Sequence, residues 1–138
     1  MSNTSVLSEV PSRYERHLAK IERAFLGIDD HGPLAVSLDF IYEGGGTGQG
    51  TGLYTTDFMH HRHQERIYEA TGLIFIRRTL ETLGLTNWDE VGGQVVHVLK
   101  QPGKDPIVGF ESLSFDREPR RFLFREMREY AEKYPTPE

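Results

Sequence analysis

The amino-acid sequence predicts an α+β fold, an antiparallel sheet with one long central helix and a C-terminal helix. Apolar and polar residues alternate along Leu34–Tyr42, which is the pattern of a strand with one buried face. Apolar residues recur every three or four positions over residues 64–83 and again over residues 123–134, which is the pattern of amphipathic helices. Because the predicted strands are joined by short turns, we expect them to pair antiparallel.

Turn-forming residues divide the rest of the chain into short segments. Residues 29–33 (Asp-Asp-His-Gly-Pro) have the composition of a tight turn, so residues 18–26 are predicted to pair with Leu34–Tyr42 as a hairpin. Residues 13–20, at the start of this hairpin, fit either a strand or a short helix. The other predicted elements are strands at residues 53–56, 94–100 and 106–110, and a single helical turn at residues 86–91.

The length of 138 residues predicts one domain with one hydrophobic core. Residues 1–12 are rich in serine and proline and are predicted to form a flexible N-terminal tail. Residues 13–138 contain no internal repeat and are predicted to form a single α+β domain.

Composition excludes several classes of protein. The chain has no cysteine, which excludes disulfide scaffolds, thiolate zinc sites and cysteine nucleophiles. Its net charge of −5 argues against nucleic acid as a partner, because broad nucleic-acid binding requires a basic surface. No apolar run approaches the roughly 18 residues of a membrane span. We therefore expect a cytoplasmic protein whose partner is neither a nucleic acid nor a membrane.

Residues 44–52 contain six glycines in nine positions, directly after the predicted strand Leu34–Tyr42. Exposed backbone N–H groups, together with the Thr47 hydroxyl and the Gln49 amide, suit phosphate or ribose oxygens. The segment lacks the Gly-Lys-Ser/Thr ending of a P-loop and the spacing of a dinucleotide-binding fingerprint. A flexible hairpin loop is the alternative interpretation.

Arginines are concentrated in the predicted C-terminal helix, which Asp116 is placed to cap. Arg117, Arg121, Arg125 and Arg128 lie three or four positions apart, so one helical face would carry all four. Clustered guanidinium groups suit bidentate contact with phosphate. The alternative is a solvated face whose charge is balanced by the neighbouring glutamates.

His60, His61 and His63 have a composition typical of metal ligands, but ligands separated by one residue or none seldom converge on one ion. We predict no metal site there and no cofactor. The chain also lacks a Gly-x-Ser-x-Gly elbow and a carboxylate pair at acid–base spacing, so we predict no catalytic residues and no enzymatic activity.

Several motifs in chain order resemble a known family. They are KIERAFLG at residues 20–27, DHG at 30–32, GQGTGLY at 48–54, TGLIFIRR at 71–78 and GL followed by WD at 84–89, with Tyr42 and Arg66 between them. Over residues 19–115 the chain is similar to small bacteriophage anti-defence proteins, the sponges that capture cyclic ADP-ribose isomers made by the bacterial Thoeris system.

The resemblance implies that the protein binds and sequesters a cyclic nucleotide without cleaving it, as a single nucleotide-binding domain over residues 13–138. It implies pockets at the subunit interfaces of a homo-oligomer, from a dimer up to a hexamer, with a separate site for cyclic di- or trinucleotides in some relatives. It implies phosphate contacts by Arg66, Arg117 and Arg121, and a second nucleotide site at His31, Thr47 and Gln49. Phe25 is among the aromatic residues that offer a face for adenine.

Two other functions fit the same residues. A small inhibitor protein would dock on an acidic host protein through the arginine-rich C-terminal helix. A metal-dependent phosphodiesterase would act on the same nucleotides through the histidines at 60, 61 and 63.

Overall fold

The structure, a computed structural model, describes residues 13–113 and 118–135. The predicted tail, residues 1–12, lies outside the described residues. The strands are β1 (Glu15–Ile28), β2 (Leu34–Tyr42), β3 (Gly48–Gly50), β4 (Tyr54–Thr55), β5 (Asp57–His60), β6 (Glu65–Tyr68), β7 (Val95–Lys100), β8 (Ile107–Ser112) and β9 (Arg121–Leu123). The helices are α1 (Thr71–Leu83) and α2 (Arg125–Lys133), with a single 3₁₀ turn at Trp88–Glu90.

Seven strands form one antiparallel sheet in the order β3-β2-β1-β7-β8-β9, and β4 also pairs with β2. Strands β5 and β6 form a separate hairpin. The predicted α+β class, with an antiparallel sheet and two helices, is therefore confirmed. In the described part of the chain neither helix is long and apolar enough to cross a membrane.

Strand β1 is the centre of the sheet and decides the ambiguity over residues 13–20. It is 14 residues long and pairs with β2 on one side and β7 on the other. Ala19, for example, pairs with both Tyr42 and Val96. The predicted hairpin of β1 and β2 is confirmed, and residues 15–20 extend its first strand because β7 pairs with all six of them.

The predicted long central helix is wrong in length, because α1 has 13 residues and begins at Thr71 instead of residue 64. The upstream residues form β6, in which Ile67 pairs with Phe58 of β5. The apolar spacing of Ile67 fitted a helix as well as a strand, and pairing with β5 decided between them. The predicted end of the helix is confirmed, since Gly84 caps it at a positive φ of 70°.

The predicted C-terminal helix is wrong at its start. Arg121 belongs to the edge strand β9, which pairs with β8 and buries Phe122 on the core face. Residues 116 and 117 lie outside the described part of the chain. Of the four arginines predicted to share a helical face, only Arg125 and Arg128 lie on α2.

Both helices pack against one face of a strongly curved sheet. Phe40 of β2 and Phe110 of β8 have ring centroids 6.0 Å apart, although β1 and β7 lie between their strands. A flat sheet would hold β2 and β8 about 14 Å apart and would hold β4 and β9 farther apart still. The rings of Tyr54 in β4 and of Phe124 just after β9 nevertheless have centroids 6.0 Å apart, so the sheet must curl. Phe75 of α1 fills the concave side and contacts Tyr54, Phe122 and Phe124 at ring-centroid distances of 4.9–5.8 Å.

Candidate functional site

The curl of the sheet leaves a cavity of about 500 Å³ between its two ends. Its lining includes Tyr14, Tyr54, Leu123, Phe124, Arg125 and Arg128. They come from the residue just before β1, from β4, from the end of β9 and the residue after it, and from α2. The volume lies within the range of about 300–1,000 Å³ that is typical of small-molecule sites.

Aromatic rings form one part of the cavity wall. Tyr54 stacks on Phe75 with an interplanar angle of 24°, and its ring centroid lies 6.0 Å from that of Phe124. This packing fixes the plane of the Tyr54 ring. Burial raises the pKa of Tyr54 above its ordinary value of 10.0, so the phenol keeps its proton, and can donate a hydrogen bond, up to a higher pH than an exposed tyrosine.

The raised pKa of Tyr54 predicts a loss of stability in alkaline solution. The contribution of Tyr54 is fully present below the unfolded-state pKa of 10.0 and is lost as the pH rises through the higher folded-state pKa. We expect Tyr54→Phe to reduce the fall in the free energy of unfolding between about pH 9 and about pH 11. Urea unfolding at both pH values measures this fall in the free energy of unfolding. Tyr68→Phe, at a position that is 73% exposed, is the control. An equal fall for wild type and Tyr54→Phe would contradict the prediction.

Two guanidinium groups form the cationic part of the wall. Arg125 and Arg128 are three residues apart on α2, which places them side by side. Arg125 lies 3.8 Å from Glu129 in an exposed pair, and such pairs hold a side chain weakly. Within residues 13–113 and 118–135, Arg128 makes no salt bridge. Both side chains can therefore turn toward an anionic group in the cavity.

Arg78 of α1 fastens β9 and α2 to the rest of the domain. Its guanidinium donates to the Arg121 carbonyl oxygen and to Glu126 Oε1, both at 2.8 Å, and lies 5.4 Å from the centroid of the Phe122 ring. The bond to Glu126 raises the pKa of Arg78. Glu126 Oε2 in turn accepts a hydrogen bond from the Leu123 backbone N–H at 3.0 Å. These contacts hold the start of α2, the helix that carries Arg125 and Arg128, beside the aromatic wall.

Comparison with protein-family models, with curated proteins and with solved structures found no match to this chain.

Among the predicted site residues that the structure describes, none lines this cavity. Arg121 lies beside it and is bonded to Glu111 of β8, with Nε 3.0 Å from Glu111 Oε2. Arg117 lies outside the described residues. Phe25 lies on the sheet face opposite the core, since its neighbour Ala24 packs against the core, and the Arg23 guanidinium is 5.1 Å from the centroid of the Phe25 ring.

Arg66 and His31 are brought together at the turn between β1 and β2. Arg66 Nη1 lies 3.2 Å from Asp57 Oδ1, and the same oxygen accepts a hydrogen bond from the Leu34 N–H at 3.1 Å. A Cβ on Gly32 of the turn would lie 3.5 Å from Arg66 Nη2. The His31 side chain is 89% exposed. Arg66 therefore stabilises the turn through Asp57. Its other terminal nitrogen, Nη2, faces Gly32 of the turn.

Thr47 bonds to Tyr42 and Gln49 lies opposite Phe40, so they are about 26 and about 20 Å from that turn by strand length. Gln49 accepts a hydrogen bond from the Tyr42 hydroxyl at 2.6 Å and donates one to the Asp105 carbonyl oxygen at 3.1 Å. The Thr47 carbonyl oxygen accepts from the Tyr42 N–H at 2.8 Å. His31 is thus separated from Thr47 and Gln49 within one subunit.

The glycine stretch forms a loop followed by β3. Gly44 and Gly46 have φ angles of 87° and 67°, which a residue with a side chain adopts at a cost. A Cβ on Gly50 would lie 2.6 Å from Asp39 Oδ1. The backbone path of the hairpin accounts for these glycines, which supports the hairpin-loop interpretation.

The histidine run forms the turn of the β5–β6 hairpin. The rings of His60 and His63 stack with centroids 4.8 Å apart. His60 Nδ1 accepts hydrogen bonds from the backbone N–H groups of Arg62 and His63 at 3.2 and 3.3 Å. Across the described ranges, no group of three His, Cys, Asp or Glu residues could hold a metal ion.

Sequence reasoning did not single out Tyr14, and it used Arg125 and Arg128 only as parts of a helical face. Tyr14 precedes the first regular strand, and no local pattern connects it to α2. The arginine spacing was a usable signal for Arg125 and Arg128. That signal was blurred because Arg121, at the same spacing, belongs to a strand.

Proposed function

We propose that this protein binds a cyclic nucleotide signal, a cyclic ADP-ribose isomer, and sequesters it in the host cytoplasm without cleaving it. The observation that carries the proposal is the cavity of about 500 Å³, which combines tyrosine rings with two guanidinium groups. A nucleotide offers the complementary chemistry, a flat base and negatively charged phosphates. The resemblance to the anti-defence sponges supplies the identity of the signal.

The chemistry of binding follows from the two parts of the wall. The base stacks on a tyrosine ring, an interaction of about 1–3 kcal/mol per base. The pyrophosphate accepts charge-assisted hydrogen bonds from Arg125 and Arg128, each contributing on the order of 1.5–3 kcal/mol. The resemblance further supports a homo-oligomer in which a second subunit closes over the ligand, and light scattering with and without ligand measures that assembly.

Calorimetric titration tests the proposal directly. Purified protein is titrated with cyclic ADP-ribose isomers and with a panel of cyclic di- and trinucleotides, and bound ligand is recovered by heat denaturation and identified by chromatography. We expect submicromolar binding of an intact cyclic ADP-ribose isomer. Recovery of a cleaved product would favour the phosphodiesterase, and an absence of binding to the whole panel would favour the protein inhibitor.

Removing both cavity arginines is expected to weaken ligand binding strongly. We expect Arg125→Ala/Arg128→Ala to raise the Kd at least about 100-fold, because two charge-assisted contacts are lost. The matched control is Arg62→Ala/Arg77→Ala, which removes the same charge from two exposed arginines outside the cavity lining. Equal Kd values for the two double variants would show that the ligand does not bind at α2.

A further inference from the structure

We infer that Arg121 acts on the cavity through Tyr14: Glu111 fixes the Arg121 guanidinium, and that guanidinium holds the Tyr14 ring in place as a wall of the site. The inference rests on the proposed function for its ligand measurement, while its structural half is testable without any ligand. It assigns Arg121 the role of a positioning residue, in place of the phosphate contact that the resemblance implies.

The first step is the fixing of Arg121. The Glu111 side chain is 2% exposed on β8, and its two oxygens are bound by different arginines. Oε1 pairs with Arg16 of β1, and Oε2 lies 3.0 Å from both Nε and Nη2 of Arg121. A buried carboxylate is stable only while it is paired, so this environment strongly favours one position of the Arg121 side chain.

The second step is the placing of Tyr14. The Arg121 guanidinium carbon lies 5.4 Å from the centroid of the Tyr14 ring, within the range of a cation–π contact. Tyr14 precedes β1, and the first backbone pair of β1 with β7 is Glu15 with Lys100. The sheet ladder therefore does not include Tyr14, and we attribute the orientation of its ring to side-chain contacts, that of Arg121 among them.

The third step links this arrangement to the site. Tyr14 lines the cavity, whereas Arg121 is not among its lining residues. Loss of the Arg121 guanidinium would free the Tyr14 ring and remove one aromatic face from the ligand. The loss would leave Arg125 and Arg128 on α2 unchanged. Arg121 therefore contributes to affinity only as long as Tyr14 is present.

The ligand-free test is NMR of protein labelled at the tyrosine ring carbons. The Tyr14 resonance is assigned by its disappearance in Tyr14→Phe. We expect Arg121→Gln to shift or broaden the Tyr14 resonance and to leave that of Tyr68, which is 73% exposed, unchanged. Arg121→Lys keeps a cation near the ring and serves as the second variant, with a smaller expected change. An unaltered Tyr14 resonance in Arg121→Gln would overturn the inference.

The ligand test is a double-mutant cycle with the cyclic ADP-ribose isomer that binds wild type. We expect Tyr14→Ala to weaken binding about tenfold, as for the loss of one stacked ring. We expect Arg121→Gln to weaken binding in the wild-type background and to have no further effect in Tyr14→Ala. Independent effects of the two substitutions would mean that Arg121 contacts the ligand itself, which would overturn the inference. Failure of wild type to bind would overturn the proposed function alone, and the NMR result would still decide whether Arg121 holds Tyr14.

Discussion

Gly109→Ala is expected to detach β9 from the sheet and to lower the free energy of unfolding by more than about 3 kcal/mol. A Cβ on Gly109 would overlap the Phe122 carbonyl oxygen and lie 3.0 Å from the Leu123 Cα. Both atoms belong to the backbone of β9, so no side-chain rotation relieves the overlap. The two strands must separate, and the buried ring of Phe122 and the attachment of α2 are weakened with them.

Urea unfolding measures this effect, and Gly92→Ala is the matched control. A Cβ on Gly92 would have no heavy atom within 4 Å. The free energy of unfolding of Gly92→Ala should therefore differ from that of wild type by less than about 0.5 kcal/mol. Native stability of Gly109→Ala would show that β8 and β9 do not pair as described. Because the cavity includes residues just after β9, we also expect Gly109→Ala to lose ligand binding.

Phe75→Ala is expected to lower the free energy of unfolding by about 3–5 kcal/mol, the range for a large buried aromatic side chain. Phe75 is fully buried and joins α1 to both ends of the curved sheet through Tyr54 of β4 and Phe122 of β9. Its removal leaves a cavity in the core and takes away the ring on which Tyr54 stacks.

The control for Phe75→Ala is Leu73→Ala on the same helix. Leu73 is 55% exposed, so truncating its side chain removes less buried surface and should change stability by less than about 1 kcal/mol. Thermal or urea unfolding of the two variants measures and compares their losses of stability. Similar losses for both would mean that Phe75 is not central to the core.

The local parts of the fold could be predicted from the sequence. The alternation of β2, the turn before it and the Gly84 cap of α1 depend on neighbouring residues, and the structure has each of them. Errors occurred where a distant strand decides the conformation. The sequence pattern of residues 65–68 fitted a helix, but in the structure these residues pair with β5. The spacing of Arg121 also fitted a helix, but Arg121 pairs with β8.

The candidate site was harder to predict for the same reason. Arg125 and Arg128 could be recognised as a pair from their spacing, but Tyr14 and Tyr54 are joined to them only by the curl of the sheet. The curl depends on how Phe40, Phe75 and Phe110 pack together. These residues are far apart in the sequence, so no local pattern predicts their contact. The glycine stretch is the opposite case. It is conspicuous in the sequence as a possible binding motif, but the backbone conformation of a hairpin explains it.

The composition of the cavity wall has a consequence for how the protein folds. Its residues come from the segment just before β1, the middle of the chain and α2, so the cavity exists only when all of these parts are in place. A ligand that binds there stabilises the native state and no partly folded one. At 100 times its Kd, it would add about 2.7 kcal/mol to the free energy of unfolding. Resistance to proteolysis should therefore rise throughout residues 13–113 and 118–135 when the ligand is added, and not only around the residues that touch it.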